Sequence, residues 1–186
     1  MKKVAVLGSG SGSNFEAIVK YFKGKDVCFT CISNKLEAYI LDRARRLNIE
    51  RHFVAYEETH NFLKNNDFDL IVLAGYMRVL PPEVVNSYKI VNIHPSLLPD
   101  FKGMSAIEKA FNAKVKITGV SVHFVNEEVD AGEIIAQIPV KIEKGMTLEE
   151  LEAKIHSVEH YLFPRVIESL LFETPLDIKE SQTCLK

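Results

Sequence analysis

The chain opens with a short apolar run that passes through a glycine-rich loop into a segment with helical spacing. Residues 4–7 are apolar, and residues 8–14 read Gly-Ser-Gly-Ser-Gly-Ser-Asn. The apolar residues that follow are spaced along one helix face: Phe15, Ile18, Val19 and Phe22. Glycines allow positive φ and close approach of a ligand, and the amides at a helix start attract anions. The pattern predicts strand, turn and helix, with either a phosphate site or a plain turn capped by Ser13.

Strand-like and helix-like segments continue to alternate along the first half of the chain. The predicted strands cover residues 27–32, 52–55 and 70–74, and the predicted helices cover 38–47 and 59–65. Such alternation is typical of a mostly parallel sheet with helices on both faces. The predicted fold class is therefore α/β, with an open, Rossmann-like sheet in one domain over residues 1–173. Residues 174–186 are expected to form a polar tail.

The second half of the chain predicts an antiparallel element and a long final helix. Residues 118–125 and 134–140 read as strands, and the link between them is so short that antiparallel pairing is expected. A helix is predicted near 106–113. Thr147 and Glu150 have the spacing of a capping box at the start of the last helix. Its predicted apolar stripe comprises Leu148, Leu151, Ile155, Val158, Leu162, Val166 and Leu170.

An abrupt change from apolar to polar residues marks a predicted active-site corner. Residues 90–93 are rich in β-branched side chains and predict a short buried strand, which Pro95 ends because proline has no amide donor. Asn92 and His94 alternate and so lie on one face at the carboxyl end, where open parallel sheets bind ligands. An imidazole can exchange a proton, and an amide can stabilise an oxyanion. A turn-capping asparagine beside a partly exposed histidine is the alternative.

Composition argues against several functional classes. The chain has 186 residues, is 47% hydrophobic and carries a formal charge of -2. Its scattered basic residues offer no face for a nucleic-acid backbone. No apolar run reaches the length of a signal sequence or a membrane span, so a cytoplasmic protein is expected. Cys28 and Cys31 fall three apart on a predicted strand, which places their side chains on opposite faces and disfavours a redox role.

The glycine loop does not match two common phosphate motifs. The dinucleotide motif G-x-G-x-x-G requires glycine where Ser13 stands, which disfavours a nicotinamide cofactor. The P-loop requires a lysine that this loop does not contain, which disfavours nucleoside triphosphate hydrolysis.

A zinc hydrolase is a distant alternative. His156, Glu159 and His160 spell H-x-x-E-H, with the two histidines at the helical spacing that zinc ligation requires. Little chain remains downstream to supply a third ligand, and this hypothesis leaves the glycine loop unexplained. An exposed histidine pair or a contact with substrate is favoured instead, and no metal is expected.

Five segments together resemble the glycinamide ribonucleotide formyltransferases, a family that uses 10-formyltetrahydrofolate. They are residues 10–14, 74–80, 92–99 (Asn-Ile-His-Pro-Ser-Leu-Leu-Pro), 119–125 and 130–132. The resemblance runs from about residue 4 to 171 and implies the formyltransferase fold. It also implies formyl transfer to the amine of glycinamide ribonucleotide in de novo purine biosynthesis. The alternatives are a 10-formyltetrahydrofolate hydrolase or another folate-dependent formyltransferase. Those relatives carry additional domains, which are not expected in this chain.

The resemblance also implies roles for individual residues. Chemistry is expected on Asn92, His94 and Asp130, with an ionised Asp130 favouring the charged form of His94. The ribonucleotide is expected to contact Gly12, Ser13, Asn14, His156 and Glu159. Formyl-folate is expected to contact Met77, Arg78, Val79, Leu80, Asn92, Asn126, Glu127, Glu128, Val129 and Asp130. The only expected partners are these small molecules, and a monomer or a homodimer would suit the family.

Three departures limit the transfer of family roles. Ser105 stands where many relatives have a histidine, and His156 stands where glutamine is frequent. The segment 56–68 is shorter than in relatives and offers no clear match for a basic folate contact.

Overall fold

The structure is a computed structural model and describes residues 1–178. Within them, the strands are β1 (Lys2–Leu7), β2 (Val27–Ser33), β3 (Glu50–Phe53), β4 (Leu70–Leu73), β5 (Ile90–His94), β6 (Ile117–Phe124) and β7 (Ile134–Lys141). The helices are α1 (Ser13–Tyr21), α2 (Tyr39–Arg46), α3 (Thr59–Lys64), α4 (Pro82–Val85), α5 (Ala106–Asn112) and α6 (Leu148–Phe172), with a 3₁₀ turn at Tyr56–Glu58. The strands form one mixed sheet in the order β3-β2-β1-β4-β5-β6-β7.

The chain divides into two compact units, of which the first is Met1–Asn92. Its strands are all parallel: β1 pairs with β2 and β4, β2 with β3, and β4 with β5. The last four residues of β1 are all buried, without the alternation of a half-exposed strand. This is the pattern of a parallel strand covered on both faces. The predicted parallel α/β arrangement is confirmed.

The second unit is Ile93–Lys186. Its β6 and β7 pair antiparallel, as predicted, with a register irregularity between Val122 and His123. The helix α6 packs on both strands. The predicted capping box is present, since the Thr147 hydroxyl accepts from the Glu150 amide and the Glu150 carboxylate accepts from the Thr147 amide. The middle of the predicted apolar stripe of α6 is buried, while its first and last members, Leu148 and Leu170, are half-buried.

Several details of the prediction were wrong. The third strand is Glu50–Phe53, two residues earlier than predicted, because it pairs as an edge strand with residues 30–33 of β2. Its side chains are mostly exposed, so no apolar pattern marks it. The short helix α4 was not predicted. Ser13 does not cap α1, because Gly12 holds the cap position and Ser13 is the first helical residue.

The two cysteines in the described residues confirm the strand interpretation. Cys28 is exposed and Cys31 is buried, so their side chains do not share a face. Burial raises the pKa of the Cys31 thiol to about 12, far from the reactive range. Cys184 and most of the predicted tail lie outside the described residues. No helix within residues 1–178 is long and apolar enough to cross a membrane.

Candidate active site

Three ionisable side chains meet in the second unit around Asp130. The Oδ2 atom of Asp130 lies 3.3 Å from Nδ1 of His94, and its Oδ1 atom lies 3.6 Å from Nε2 of His123. The amide of Gly103 donates to Oδ2 at 2.8 Å. The side chains of His94, His123 and Asp130 are 6%, 2% and 8% exposed. The predicted neighbour of His94 is therefore in place, and a second histidine flanks the same carboxylate.

The local sequence explains how Asp130 reaches this position. It lies in the turn after β6 with φ 51, a left-handed conformation that aspartate tolerates better than most residues. Close by, a Cβ on Gly132 would lie 1.7 Å from the carbonyl oxygen of Phe124. Only glycine allows the returning chain to pass so near the end of β6.

The surroundings of Asp130 stabilise its ionised form. Burial by itself raises the pKa of this carboxyl. The interaction with His123, the amide of Gly103 and the charge of His94 together outweigh burial and hold the pKa at about 2. Asp130 is thus a fixed negative charge at neutral pH.

Both imidazoles are held by backbone carbonyls on the side away from Asp130. Nε2 of His94 donates to the carbonyl of Phe101 at 2.9 Å, and Nδ1 of His123 donates to the carbonyl of Phe124 at 2.8 Å. A carbonyl only accepts, so these nitrogens carry the proton of each neutral ring. The other nitrogen then donates to Asp130 only when the ring is an imidazolium. In the imidazolium form of His94 both N–H groups are therefore engaged, so this ring offers a nearby oxyanion its positive charge rather than a free hydrogen-bond donor.

A buried serine anchors the loop that follows His94. The hydroxyl of Ser121 donates to the carbonyl of Ser96 at 2.6 Å and accepts from the amide of Leu98 at 3.0 Å. Gln137 donates to the same hydroxyl at 2.8 Å and to the Leu98 carbonyl at 3.0 Å. Strand β6 therefore anchors the start of this loop, whose later residues Phe101 and Gly103 contact the two catalytic candidates His94 and Asp130.

Asn92 lies where the alternation predicted. It is two residues before His94 on β5, at the carboxyl end, and stands opposite Leu73 of β4 in the parallel register. Its side chain is half-buried. Its predicted role as an oxyanion donor stays a prediction.

The glycine loop of the first unit packs closely against α2. Gly12 has φ 76 and caps α1, and a Cβ at this position would lie 2.6 Å from the Ile40 side chain. A Cβ on Gly8 would also lie 2.6 Å from Ile40. The predicted strand, turn and helix are confirmed here; packing against Ile40 favours glycine at both positions, and the positive φ adds a conformational requirement at Gly12 alone.

The predicted folate segment after β4 presents a mixed surface. Met77 and Val79 are 58% and 59% exposed, whereas Leu80 is buried in the core. The hydroxyl of Ser9 accepts from the Met77 amide at 2.9 Å and donates to the Asn34 side chain at 2.6 Å. Burial places the Leu80 side chain in the core, while the exposed apolar side chains of Met77 and Val79 are accessible to a planar ligand.

The other predicted folate residues form the turn before Asp130. The side chain of Asn126 accepts from the amide of Glu128 at 3.1 Å, which closes the turn, and Glu128 pairs with Lys102. Glu127 and Val129 are exposed. In the separate loop after His94, Ser105 holds the N-cap position of α5 at φ 58, without a side-chain capping hydrogen bond.

The helical histidines are arranged around a buried glutamate. His156 Nδ1 lies 2.8 Å from Glu159 Oε2, and the ring centroids of His156 and His160 are 6.5 Å apart. The hydrogen bond to Glu159 raises the pKa of the half-exposed His156. Within residues 1–178, no group of three or more His, Cys, Asp or Glu side chains is placed to hold a metal ion.

His123 is the functional candidate that sequence reasoning did not select. Ser121 and His123 alternate on β6 and put polar groups into a strand whose other residues from 118 to 122 are also buried. Buried polar side chains on a strand that leads into the Asp130 turn were the available signal.

Comparison with known proteins shows the family of this chain. A phosphoribosylglycinamide formyltransferase of Bacillus subtilis is 41% identical over 186 aligned residues, which cover 92% of this chain and 95% of that protein. One from Haemophilus influenzae is 40% identical and covers 90% and 86% of the two chains. A crystal structure of the Bacillus halodurans enzyme matches with a TM-score of 0.86 at 43% identity, over 92% of this chain and 96% of that one. Residues 2–167 match the formyl transferase family, and the chain therefore belongs to that family.

Proposed function

We propose that this protein transfers the formyl group of 10-formyltetrahydrofolate to the amine of glycinamide ribonucleotide, a step of de novo purine biosynthesis. The observation that carries the proposal is the pairing of His94, the last residue of β5 and the histidine of the Asn-Ile-His-Pro sequence, with an ionised Asp130. The relatives named phosphoribosylglycinamide formyltransferase support it.

The reaction needs a proton transfer to the leaving nitrogen and stabilisation of the negative charge that develops on the formyl oxygen. The folate supplies the formyl carbon; the ribonucleotide amine forms a new C–N bond to it, the bond to the folate nitrogen breaks, and the amine proton ends on the leaving nitrogen. The amide of Asn92 donates to the oxygen that becomes negative, and the positive charge of the His94 imidazolium stabilises that oxygen electrostatically. Asp130 favours that imidazolium, and His94 or a water molecule carries the proton. No serine or cysteine nucleophile takes part.

The binding residues divide between the two substrates. For the ribonucleotide, Gly12, Ser13 and Asn14 are assigned to the phosphate, and His156 and Glu159 to further contacts. For formyl-folate the assigned residues are Met77, Arg78, Val79, Leu80, Asn92, Asn126, Glu127, Glu128, Val129 and Asp130. Exposed apolar side chains at Met77 and Val79 fit the face of a flat heterocycle. The Leu80 contact is assigned to its backbone, because its side chain is buried.

The wider setting follows from this activity. The partners are the two small molecules, with no nucleic acid, membrane or metal required, and the protein acts in the cytoplasm as a monomer or homodimer. Cysteine content supports a reducing compartment, since three cysteines do not make a closed disulfide framework.

A formyl-transfer assay with glycinamide ribonucleotide and 10-formyltetrahydrofolate tests the proposal. Tetrahydrofolate release is expected to depend on the ribonucleotide and to match the formyl glycinamide ribonucleotide formed. A blank with folate alone is the control. Equal folate turnover with and without the ribonucleotide would identify a hydrolase instead.

A further inference from the structure

Arg43 of α2 binds the backbone of the glycine loop. Its Nε donates to the carbonyl of Ser11 at 2.8 Å, and its Nη1 pairs with the carboxylate of Glu16 on α1. Arg43 is half-buried, and the same face of α2 buries Ile40 against the loop glycines. One guanidinium therefore ties the loop to both neighbouring helices.

These bonds determine where the loop amides point. In a planar trans peptide, the C=O and the following N–H point in opposite directions. Arg43 holds the carbonyl of Ser11, and the amide of Ile40 holds the carbonyl of Gly10 at 3.1 Å. Two successive carbonyls thus face α2, so the amides that follow them, on Ser11 and Gly12, face away from it.

Arg43 also acts on the charge at the start of α1. Glu16 lies in the first turn of that helix, where a carboxylate offsets the partial positive charge that would attract an anion. Its Oε1 lies 2.6 Å from Lys20 Nζ, and its Oε2 pairs with Arg43. The two cations neutralise Glu16 and keep the helix start favourable for a second, bound anion.

We propose that Arg43 is a positioning residue for the substrate phosphate. It acts through the Ser11–Gly12 peptide, which it orients so that the Gly12 amide is directed at the phosphate before the ribonucleotide binds. The proposal rests on the proposed assignment of Gly12, Ser13 and Asn14 to that phosphate. Arg43 lies outside the glycine loop, and its substitution is expected to affect binding of the ribonucleotide but not of formyl-folate.

Two substitutions separate the hydrogen bond of Arg43 from its charge. Arg43→Lys retains a cation for Glu16 but places a methylene where Nε donates, whereas Arg43→Ala removes both. Arg46→Ala is the matched control, because Arg46 lies on the same helix with its guanidinium 4.9 Å from the centroid of the Tyr39 ring that Arg43 also approaches. Arg46 is exposed, and within residues 1–178 its guanidinium makes no hydrogen bond or ion pair.

The readout is the separate effect on each substrate. Both Arg43 variants are expected to raise KM for glycinamide ribonucleotide at least about tenfold, the lower end for a lost hydrogen bond to a charged group. KM for formyl-folate should stay within about twofold, and Arg46→Ala should match the wild type. A near-normal ribonucleotide KM for Arg43→Lys would overturn the proposal, as would an equal rise in both KM values.

A further comparison separates this proposal from the assignment of the phosphate site. Calorimetric titration of each variant with glycinamide ribonucleotide alone measures loop function independently of turnover, with Asn14→Ala as the reference for a direct phosphate contact. If Asn14→Ala weakens binding and Arg43→Lys does not, only the Arg43 proposal fails. If the wild type binds no ribonucleotide, or Asn14→Ala leaves its affinity unchanged, the phosphate assignment itself fails and the Arg43 proposal fails with it.

Discussion

Asp130 shows how one residue's role depends on its surroundings. From the sequence alone it could be a turn-forming aspartate, for which asparagine would serve nearly as well. In the structure its two oxygens face His94 and His123, and the Gly103 amide donates to one of them. These contacts demand a negative charge, which asparagine does not supply.

Asp130→Asn is therefore expected to lower turnover at least about tenfold while preserving the fold, because it removes the charged partner of His94 and a hydrogen bond to a charged group contributes about 1.5–3 kcal/mol. The acidic limb of the pH–rate profile should also move. Steady-state kinetics across pH measures both effects, and circular dichroism checks folding. Asp100→Asn, an exposed aspartate in the loop after His94, is the control. If Asp130→Asn has normal turnover and an unchanged pH–rate profile, Asp130 only forms the turn and has no part in catalysis.

The same carboxylate should make stability depend on pH in the acid range. The pKa of Asp130 falls from an ordinary 3.8 to about 2 on folding. Because the folded value is depressed, its contribution is complete above the unfolded pKa and is lost as pH falls from about 4 through about 2. The shift corresponds to roughly 2 kcal/mol. Urea unfolding should show the stability advantage of the wild type over Asp130→Asn shrinking by about that amount between roughly pH 5 and pH 2. A pH-independent difference would contradict the prediction.

At the scale of elements, β6 contains two buried hydroxyl groups, of which Ser121 has several hydrogen-bond partners and Thr118 has none in the described residues. Ser121 bonds to the Ser96 carbonyl, the Leu98 amide and Gln137, whereas the hydroxyl oxygen of Thr118 is buried without a hydrogen-bond partner in the described residues. An unsatisfied buried hydroxyl contributes a desolvation cost and no compensating bond.

Ser121→Ala is expected to lower the free energy of unfolding by about 1–3 kcal/mol, because it leaves buried backbone groups unpaired. Thr118→Val, which keeps the shape, should leave stability unchanged or raise it by up to about 1 kcal/mol. Chemical denaturation of both variants measures the two values side by side. Equal losses in the two variants would show that hydrogen bonding to Ser121 does not hold the loop that follows His94.

The elements that were predicted well are those whose signals are local. Burial on both faces made β1 a continuous apolar run, and the Thr147–Glu150 capping box defined the start of α6. The edge strand β3 was misplaced because its residues are mostly exposed and its bounds are set by pairing with β2. A strand that is defined by its partner has no periodicity of its own.

At the scale of the whole molecule, the question raised by the H-x-x-E-H match is whether His156 and His160 bind zinc. Nδ1 of His156 is engaged by the buried Glu159, and within the described residues no group of three or more His, Cys, Asp or Glu side chains is placed to hold a metal ion. Formyl transfer is expected to be unchanged after chelation and dialysis, with no stoichiometric zinc detected by elemental analysis. Loss of activity that added zinc restores would contradict this prediction.

The sequence by itself determined the α/β class, the strand, glycine turn and helix at the start of the chain, and the position of Asn92 and His94 at a strand end. Each follows from neighbours within a few residues, through side-chain alternation, proline termination and glycine conformation. Three features were decided only by the tertiary structure. It brought His123 and Asp130 together with His94, and it placed the Leu80 side chain in the core. It also joined Arg43 to Ser11, which is 32 positions away in the sequence. These contacts depend on which strands and helices pack together, and packing is decided by the burial of the whole core rather than by any local pattern.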